Sequence, residues 1–147
     1  MEPIAENPTE IRTTDSRFKA MFDAIQRIDK GAGTPDDVRT AVTNGASFYA
    51  EEAQRITGDK KPLVENDARR LKRFQEAGPY GLIGFCTDQI NLLVDQAMRS
   101  YMANAPKSAV LLIQRAERWE EVLKELRREL RRTKQIDDSI LENVQLW

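Results

Sequence analysis

Residues 106–134 read PKSAVLLIQRAERWEEVLKELRRELRRTK, and this stretch decides the fold of the chain. Counted from one residue earlier, its apolar positions are separated by alternating steps of four and three residues. These positions are Ala105, Ala109, Leu112, Ala116, Trp119, Leu123, Leu126 and Leu130. A seven-residue repeat places all of them along one side of a helix. Because such a long apolar side is unfavourable in water, the pattern predicts a helix packed against another helix.

The segment before this helix is its predicted packing partner. Residues 80–104 are apolar on nearly every side, which is typical of a helix at the centre of a bundle or covered by other subunits. Asn104-Ala-Pro106 connects the two segments closely, so residues 80–104 and 106–133 should form a long antiparallel hairpin. Each helix of the hairpin would be about 38–42 Å long.

Two helices are predicted at the N-terminal side of the chain. The first follows a cap at Thr14 or Asp15 and ends at a Gly-Ala-Gly turn. The second extends over residues 35–57, where the apolar positions keep one helical phase and Gly45 is a point of close contact. A break at Asn44-Gly45 is the alternative, because this dipeptide also favours turns.

A third helix over about residues 61–77 completes the predicted set. No alternation typical of strands occurs, so we predict an all-α bundle of four to five helices. The helical domain covers residues 14–134, between an extended arm, residues 1–13, and a C-terminal docking segment, residues 135–147. One or two helical turns of this segment would place four large apolar side chains on one side, where they dock on this chain or on a neighbour. These side chains are Ile140, Leu141, Val144 and Trp147.

The composition excludes most enzyme chemistry. The chain has no histidine, so it lacks a Ser-His-Asp triad, a Cys-His pair and a histidine zinc site. Its single cysteine, Cys86, cannot build an internal disulfide or a thiolate cage for a metal, and its apolar helical setting indicates a small buried residue. Asp88 and Asp95 share a helix face, but the metal sites known in helical bundles also use histidines. We therefore predict no enzyme, cofactor or metal site.

The charge balance favours no particular class of partner. With 23 basic and 24 acidic residues the net charge is −1, so nothing draws the whole chain to nucleic acid or to a membrane. The N-terminus lacks the apolar run of a signal peptide, and the longest apolar region contains Asp88, Asp95 and Arg99. A single cysteine fits a reducing compartment. We expect a cytoplasmic protein, or a component of a particle assembled in the cytoplasm.

Basic residues are nevertheless concentrated at positions 60–73 and 127–134. Such patches can follow a nucleic-acid backbone. Interleaved aromatic residues and a helix-turn-helix signature are lacking, so a solvated helix face is the preferred interpretation. Nucleic-acid binding is the first alternative function. Its candidate anion contacts are Lys60, Lys61, Arg69, Arg70, Arg73, Arg127, Arg128, Arg131 and Arg132.

A glycine spacing suggests a second alternative function. Gly78, Gly81 and Gly84 recur at every third position, and a glycine loop at a helix N-terminus can bind phosphate. No Lys-Ser/Thr pair follows and no strand precedes, as the phosphate-binding motifs would require. A close approach of two helices is therefore the preferred interpretation, and a binder of a small anion or nucleotide is the alternative.

The preferred function is structural. The apolar seam and the apolar helix before it together exceed what one small bundle can cover, so we expect a homo-oligomer or a subunit of a larger protein assembly. An adaptor, a scaffold or a particle component, viral or phage included, would fit. Across a parallel partner helix, Arg115 would pair with Glu120 and Glu129 with Lys134. The predicted interface residues are Leu112, Trp119, Leu123, Leu126 and Leu130, together with Ile140, Leu141, Val144 and Trp147.

Overall fold

The computed structural model of the protein describes residues 7–137, which form an all-α bundle. Five helices follow one another in this part of the chain: α1 Ser16–Asp29, α2 Pro35–Arg55, α3 Lys61–Glu76, α4 Pro79–Met102 and α5 Pro106–Arg132. The predicted fold class is confirmed, because the described residues contain no strand and α4 and α5 pack side by side as the long hairpin. The predicted helix ends agree with the observed ones to within about two residues, the ordinary ambiguity of helix ends.

Local sequence explains where the helices begin. Asp15 caps α1, and its carboxylate accepts a hydrogen bond of 2.8 Å from the backbone N–H of Arg17. Thr34 and Asp37 form a capping box at α2, in which Asp37 Oδ2 accepts from the backbone N–H of Thr34 at 2.9 Å. The other four helices, α2 to α5, each have a proline in the first turn, where its missing N–H costs no intrahelical bond.

Helix α2 is continuous and does not break at Asn44-Gly45. A Cβ atom at Gly45 would lie 2.9 Å from Met21 Sδ of α1 and 3.1 Å from Leu71 Cδ1 of α3. Glycine therefore allows both neighbouring helices to approach α2 at the same level, and the predicted close contact is confirmed. The helical phase outweighs the turn preference of the dipeptide because it buries a whole row of side chains. This row consists of Val38, Ala41, Val42, Ala46 and Phe48.

The core lies where the hairpin meets the three shorter helices. Trp119 of α5 is 1% exposed, and its ring packs edge-on against Phe85 of α4 with centroids 5.9 Å apart. Phe85 in turn packs against Phe74 of α3, also at 5.9 Å. The indole Nε1 of Trp119 donates a hydrogen bond of 2.8 Å to Asp29 Oδ1 at the end of α1. One aromatic row therefore joins α3, α4 and α5, and its last member is tied to α1.

Residues 7–13 pack against the C-terminal end of α2. The buried carboxylate of Glu52 accepts hydrogen bonds from Arg12 Nε at 2.6 Å and from Arg55 Nη2 at 2.7 Å. The segment makes a turn instead of running extended as predicted. Residues 1–6 of the predicted arm lie outside the described residues.

The chain leaves the bundle through a tight turn after α5. Lys134 has a positive φ of 58°, and the backbone N–H of Gln135 donates to the carbonyl oxygen of Leu130 at 2.8 Å. This is the hydrogen bond of a Schellman-type helix end. Ile136 is buried immediately afterwards. The predicted docking of the C-terminal segment concerns side chains outside the described residues, namely Ile140, Leu141, Val144 and Trp147.

Candidate interaction surface

The predicted interface seam of α5 is covered by helices of the same chain. Trp119, Leu126 and Leu130 are at most 1% exposed, and Leu112 and Leu123 are partly buried against the same core. Helices α1, α2 and α4 pack against α5. A seven-residue repeat specifies an apolar helix side, but it does not specify whether the covering helix belongs to the same chain.

The charged residues of α5 also find their partners within the chain. Arg115 Nη2 lies 3.1 Å from Asp29 Oδ2 of α1. Glu129 Oε2 lies 2.9 Å from Arg39 Nη2 of α2. These contacts replace the two ion pairs predicted across a parallel partner helix, and they show that α1 and α2 cover the C-terminal two thirds of α5.

An exposed apolar surface lies at the other end of the hairpin, over residues 95–114, which we call the hairpin tip. Nine large apolar side chains are exposed among residues 7–137, and six of them belong to the hairpin tip. The six are Met98, Tyr101, Met102, Val110, Leu111 and Ile113. Single exposed apolar side chains are ordinary, whereas apolar side chains that share one surface mark an interaction surface. Four of the six, Met98, Tyr101, Met102 and Ile113, line one groove.

The hairpin tip is exposed because it projects beyond the helices that cover the rest of α4 and α5. Helix α1 ends at Asp29, which contacts α5 at Arg115. From Arg115 back to its first residue, Pro106, α5 continues for about 14 Å. Helix α3 forms its ion pair with α4 at Asp88, well before the hairpin tip.

Small residues hold the two helices of the hairpin tip together. Ala97 of α4 and Ala109 of α5 are buried, whereas Met98, Tyr101 and Met102 beside them are 61%, 70% and 81% exposed. Because alanine lets the two backbones approach closely, the larger side chains remain on the flanks. A groove of about 290 Å³ lies between the helices at this point. Its lining consists of Ala97, Met98, Tyr101, Met102, Ala109 and Ile113.

The turn at the end of the hairpin tip is closed by backbone hydrogen bonds. Asn104 has a positive φ of 60°, and its N–H donates to the carbonyl oxygen of Tyr101 at 3.1 Å. The N–H of Ala105 donates to the carbonyl oxygen of Ser100 at 2.8 Å. Asparagine is one of the few residues that tolerate this backbone conformation, and Pro106 then starts α5. The exposed side chains are therefore carried by two helices and a short turn.

The hairpin tip is also poor in charge. Its charged residues are Asp95, Arg99 and Lys107, three in twenty, whereas 32% of the whole chain is charged. Asp95 Oδ2 and Arg99 Nη2 form an exposed ion pair with each other at 3.0 Å. The cores of protein–protein interfaces show the same depletion of charge.

The basic patch of α3 is partly used within the chain. Lys61 Nζ donates to a carbonyl oxygen at the end of α2 at 2.8 Å, and Arg70 Nη1 lies 2.6 Å from a carboxylate oxygen of α4. Lys60, Arg69 and Arg73 are exposed. The last two border an open groove of about 600 Å³ on the outer face of α3.

The basic patch of α5 is divided in the same way. Arg128 and Arg132 are exposed, whereas Arg127 is partly buried and lines a groove between α4 and α5. Arg131 Nε donates to the carbonyl oxygen of Arg127 at 3.3 Å. Several of the predicted anion contacts are therefore engaged by the protein itself.

The glycine spacing in the first turns of α4, for which a phosphate loop is the alternative interpretation, forms a helix contact. Gly81 and Gly84 lie in the first turns of α4, where a Cβ atom would be 1.7 Å from the carbonyl oxygen of Phe74 and 3.2 Å from its Cε1 atom, respectively. The close-approach interpretation of the glycine spacing is confirmed at these two positions. Phe74 occupies the space that a phosphate would need against them.

The described residues offer little reactive chemistry. Cys86 is fully buried, and burial raises the pKa of its thiol to about 12. Asp88 pairs with Arg70, and Asp95 pairs with Arg99. Among residues 7–137, no group of three histidine, cysteine or carboxylate side chains is arranged to hold a metal ion. In the same part of the chain, none of the helices combines the length and apolar character needed to cross a membrane.

Sequence reasoning did not identify the hairpin tip as the exposed surface. Two features of the sequence point to it. Residues 80–104 are apolar on nearly every side, and the four consecutive apolar residues Val110–Ile113 cover more of the helix surface than a single seam does. Neither signal says which part of the hairpin stays uncovered. Comparison of the chain with protein families, with curated proteins and with solved structures gives no match.

Proposed function

We propose that this protein is a non-enzymatic assembly protein, which associates with a second copy of the chain through the hairpin tip. The observation that carries the proposal is the cluster of six exposed apolar side chains at one end of the bundle. Covering apolar surface contributes about 25 cal/mol per Å². A partner that covers the hairpin tip therefore removes the most unfavourable part of the described surface.

A second copy fits this surface because the hairpin tip is complementary to itself. It supplies projecting side chains, such as Tyr101 and Met102, and an apolar groove between the two helices. In a two-fold dimer, the projecting side chains of each copy would enter the groove of the other. Asp95 and Arg99 provide both signs of charge, so each could pair with its opposite across the two-fold axis.

The rest of the molecule supports a role without catalysis. The chain lacks histidine, and the thiol of Cys86 is buried with a raised pKa, which keeps it from acting as a nucleophile. The single cysteine supports action in the cytoplasm, or in a particle assembled there.

The test is the mass of the protein in solution. Sedimentation velocity or light scattering at micromolar concentration should show a dimer or a larger homo-oligomer for the unmodified chain. The double variant Tyr101→Glu, Met102→Glu should dissociate at least about tenfold more readily, because a loss of 1.4 kcal/mol at the interface is enough for that factor. Both side chains are exposed in the single chain, so the fold of the variant should stay intact.

Leu63→Glu is the matched control. Leu63 is 66% exposed on α3, away from the hairpin tip. Its substitution also replaces an apolar side chain with an acidic one. Its variant should associate as the unmodified protein does. A monomeric unmodified protein at micromolar concentration would refute association with a second copy, and equal dissociation of both variants would refute the role of the hairpin tip.

A further inference from the structure

A second groove lies between α4 and α5 nearer to the core, with a volume of about 400 Å³. Ile83, Ile90 and Leu123 form its apolar floor, and Lys124 and Arg127 lie on its rim. Ile90 and Leu123 are only partly buried, so the floor is open to a further apolar partner.

The rim of this groove carries an unused hydrogen-bond donor. Arg127 Nε is buried and has no hydrogen-bond partner among the described residues. A buried donor without a partner is unfavourable, and the arginine charge makes a carboxylate the preferred acceptor. Lys124 on the same rim is exposed and adds a second positive charge, while its Nζ lies 3.4 Å from Glu121 Oε1 and Glu120 also lines the groove. The groove therefore suits a segment that combines apolar and acidic side chains.

The chain itself leaves the described bundle at the end of this groove. The backbone N–H of Asp137 donates a hydrogen bond of 3.0 Å to the hydroxyl of Tyr80. Tyr80 precedes Ile83 by three residues on α4, and Thr87 and Asn91 of the groove lining follow Tyr80 at helical spacings of seven and eleven. These spacings place all of them on one side of the helix. The last described residue, Asp137, therefore lies on the side of α4 that lines the groove.

Residues 138–147, DSILENVQLW, have the composition that the groove selects. Asp138 and Glu142 are acidic, and the segment contains no basic residue. Its large apolar residues are Ile140, Leu141, Val144, Leu146 and Trp147. Ten residues span about 15 Å as a helix, and the α4 side of the groove, from Ile83 to Asn91, is about 12 Å long.

We propose that residues 138–147 bind in the groove between α4 and α5 of their own chain, with apolar side chains on Ile83, Ile90 and Leu123 and a carboxylate on Arg127. The groove is separate from the hairpin tip, so this inference stands whether or not the tip binds a second copy. Bound in this way, the segment would extend the core of the bundle along the open face of the hairpin.

The fluorescence of Trp147 in the full-length protein tests the proposal. Trp119 is 1% exposed, so its fluorescence should be protected from the quencher. The variant Trp147→Phe contains only Trp119 and therefore gives its contribution alone. After subtraction, acrylamide should quench Trp147 several-fold less than it quenches free tryptophan amide. Arg127→Glu should raise the quenching of Trp147 toward the free value, and Lys124→Glu should raise it in part. Far-UV circular dichroism verifies that each variant keeps its helices.

Arg128→Glu is the control, because it makes the same charge change at an exposed neighbouring position outside the groove lining. It should leave the quenching of Trp147 unchanged. Free quenching of Trp147 in the unmodified protein would overturn the proposal, as would equal effects of the Arg127 and Arg128 variants. Protection that disappears on dilution would place the segment on a neighbouring copy, and would overturn binding within the same chain.

Discussion

Replacing Glu52 with glutamine should weaken the attachment of the N-terminal segment to the bundle. The Glu52 side chain is fully buried, and its carboxylate accepts hydrogen bonds from Arg12 Nε at 2.6 Å and from Arg55 Nη2 at 2.7 Å. Glutamine has nearly the same shape but no charge. The variant would therefore remove the buried anionic acceptor that Arg12 and Arg55 share, while the packing stays almost unchanged.

The magnitude follows from the acidity of the carboxyl. Burial alone raises the pKa of Glu52, but the hydrogen bonds from Arg55 and Arg12 outweigh burial and lower the pKa from 4.5 to about 2. Because one pKa unit corresponds to about 1.36 kcal/mol, the folded state favours the ionised carboxylate by about 3 kcal/mol. Removal of one partner from a buried ion pair costs a similar amount, about 3–5 kcal/mol. We expect Glu52→Gln to lower the free energy of unfolding by about 3 kcal/mol at neutral pH.

The sign of the pH dependence follows from the same shift. The pKa of Glu52 is lower in the folded state, so the unfolded chain binds the extra proton as the pH falls. The contribution of Glu52 is complete above pH 4.5, its ordinary pKa, and is lost as the pH falls toward about 2. The free energy of unfolding of Glu52→Gln should therefore depend less on pH in this window than that of the unmodified protein.

Urea denaturation at neutral pH and at several acidic pH values provides the measurement. Glu51→Gln is the control, since Glu51 is a half-exposed neighbour that binds Arg17 and lies 3.7 Å from Arg12 Nη2. Loss of this exposed charge should cost less than about 1 kcal/mol. The reasoning fails if Glu52→Gln is no less stable than the control variant, or if the two share one pH profile.

Two further predictions concern the glycines of α4 and the basic patch of α3. Gly81→Ala should destabilise the protein by about 3 kcal/mol, because its Cβ would overlap the Phe74 carbonyl oxygen at 1.7 Å. Gly84→Ala meets only the edge of the Phe74 ring, at 3.2 Å, and should be tolerated, so equal melting temperatures for the two variants would contradict the helix-contact interpretation. Arg69→Glu combined with Arg73→Glu should leave self-association unchanged, because both side chains are exposed on α3 and lie outside the hairpin tip. Tight binding of DNA or RNA by the unmodified protein that weakens in this variant, measured at two salt concentrations, would favour the nucleic-acid alternative instead.

Local sequence determined most of the secondary structure. Asp15 caps the N-terminus of α1, and each of the other four helices has a proline in its first turn. The apolar positions keep one helical phase through Gly45, which indicates one continuous α2. Residues 80–104 and 106–133 have similar lengths and a short connection, which indicates the hairpin. Each of these features depends on residues that are close together in the sequence, so the sequence alone is enough to predict them.

Tertiary structure decided which apolar surfaces are covered and which remain exposed. The seam through Trp119 and Leu126 has the pattern of an interface between chains, yet α1 and α2 of the same chain cover it. Met98 and Tyr101 have the pattern of a core, yet they stay exposed because α1 ends at Asp29 and the shorter helices do not reach the hairpin tip. A periodic pattern records that a surface is apolar, whereas the length and placement of the other helices decide what covers it.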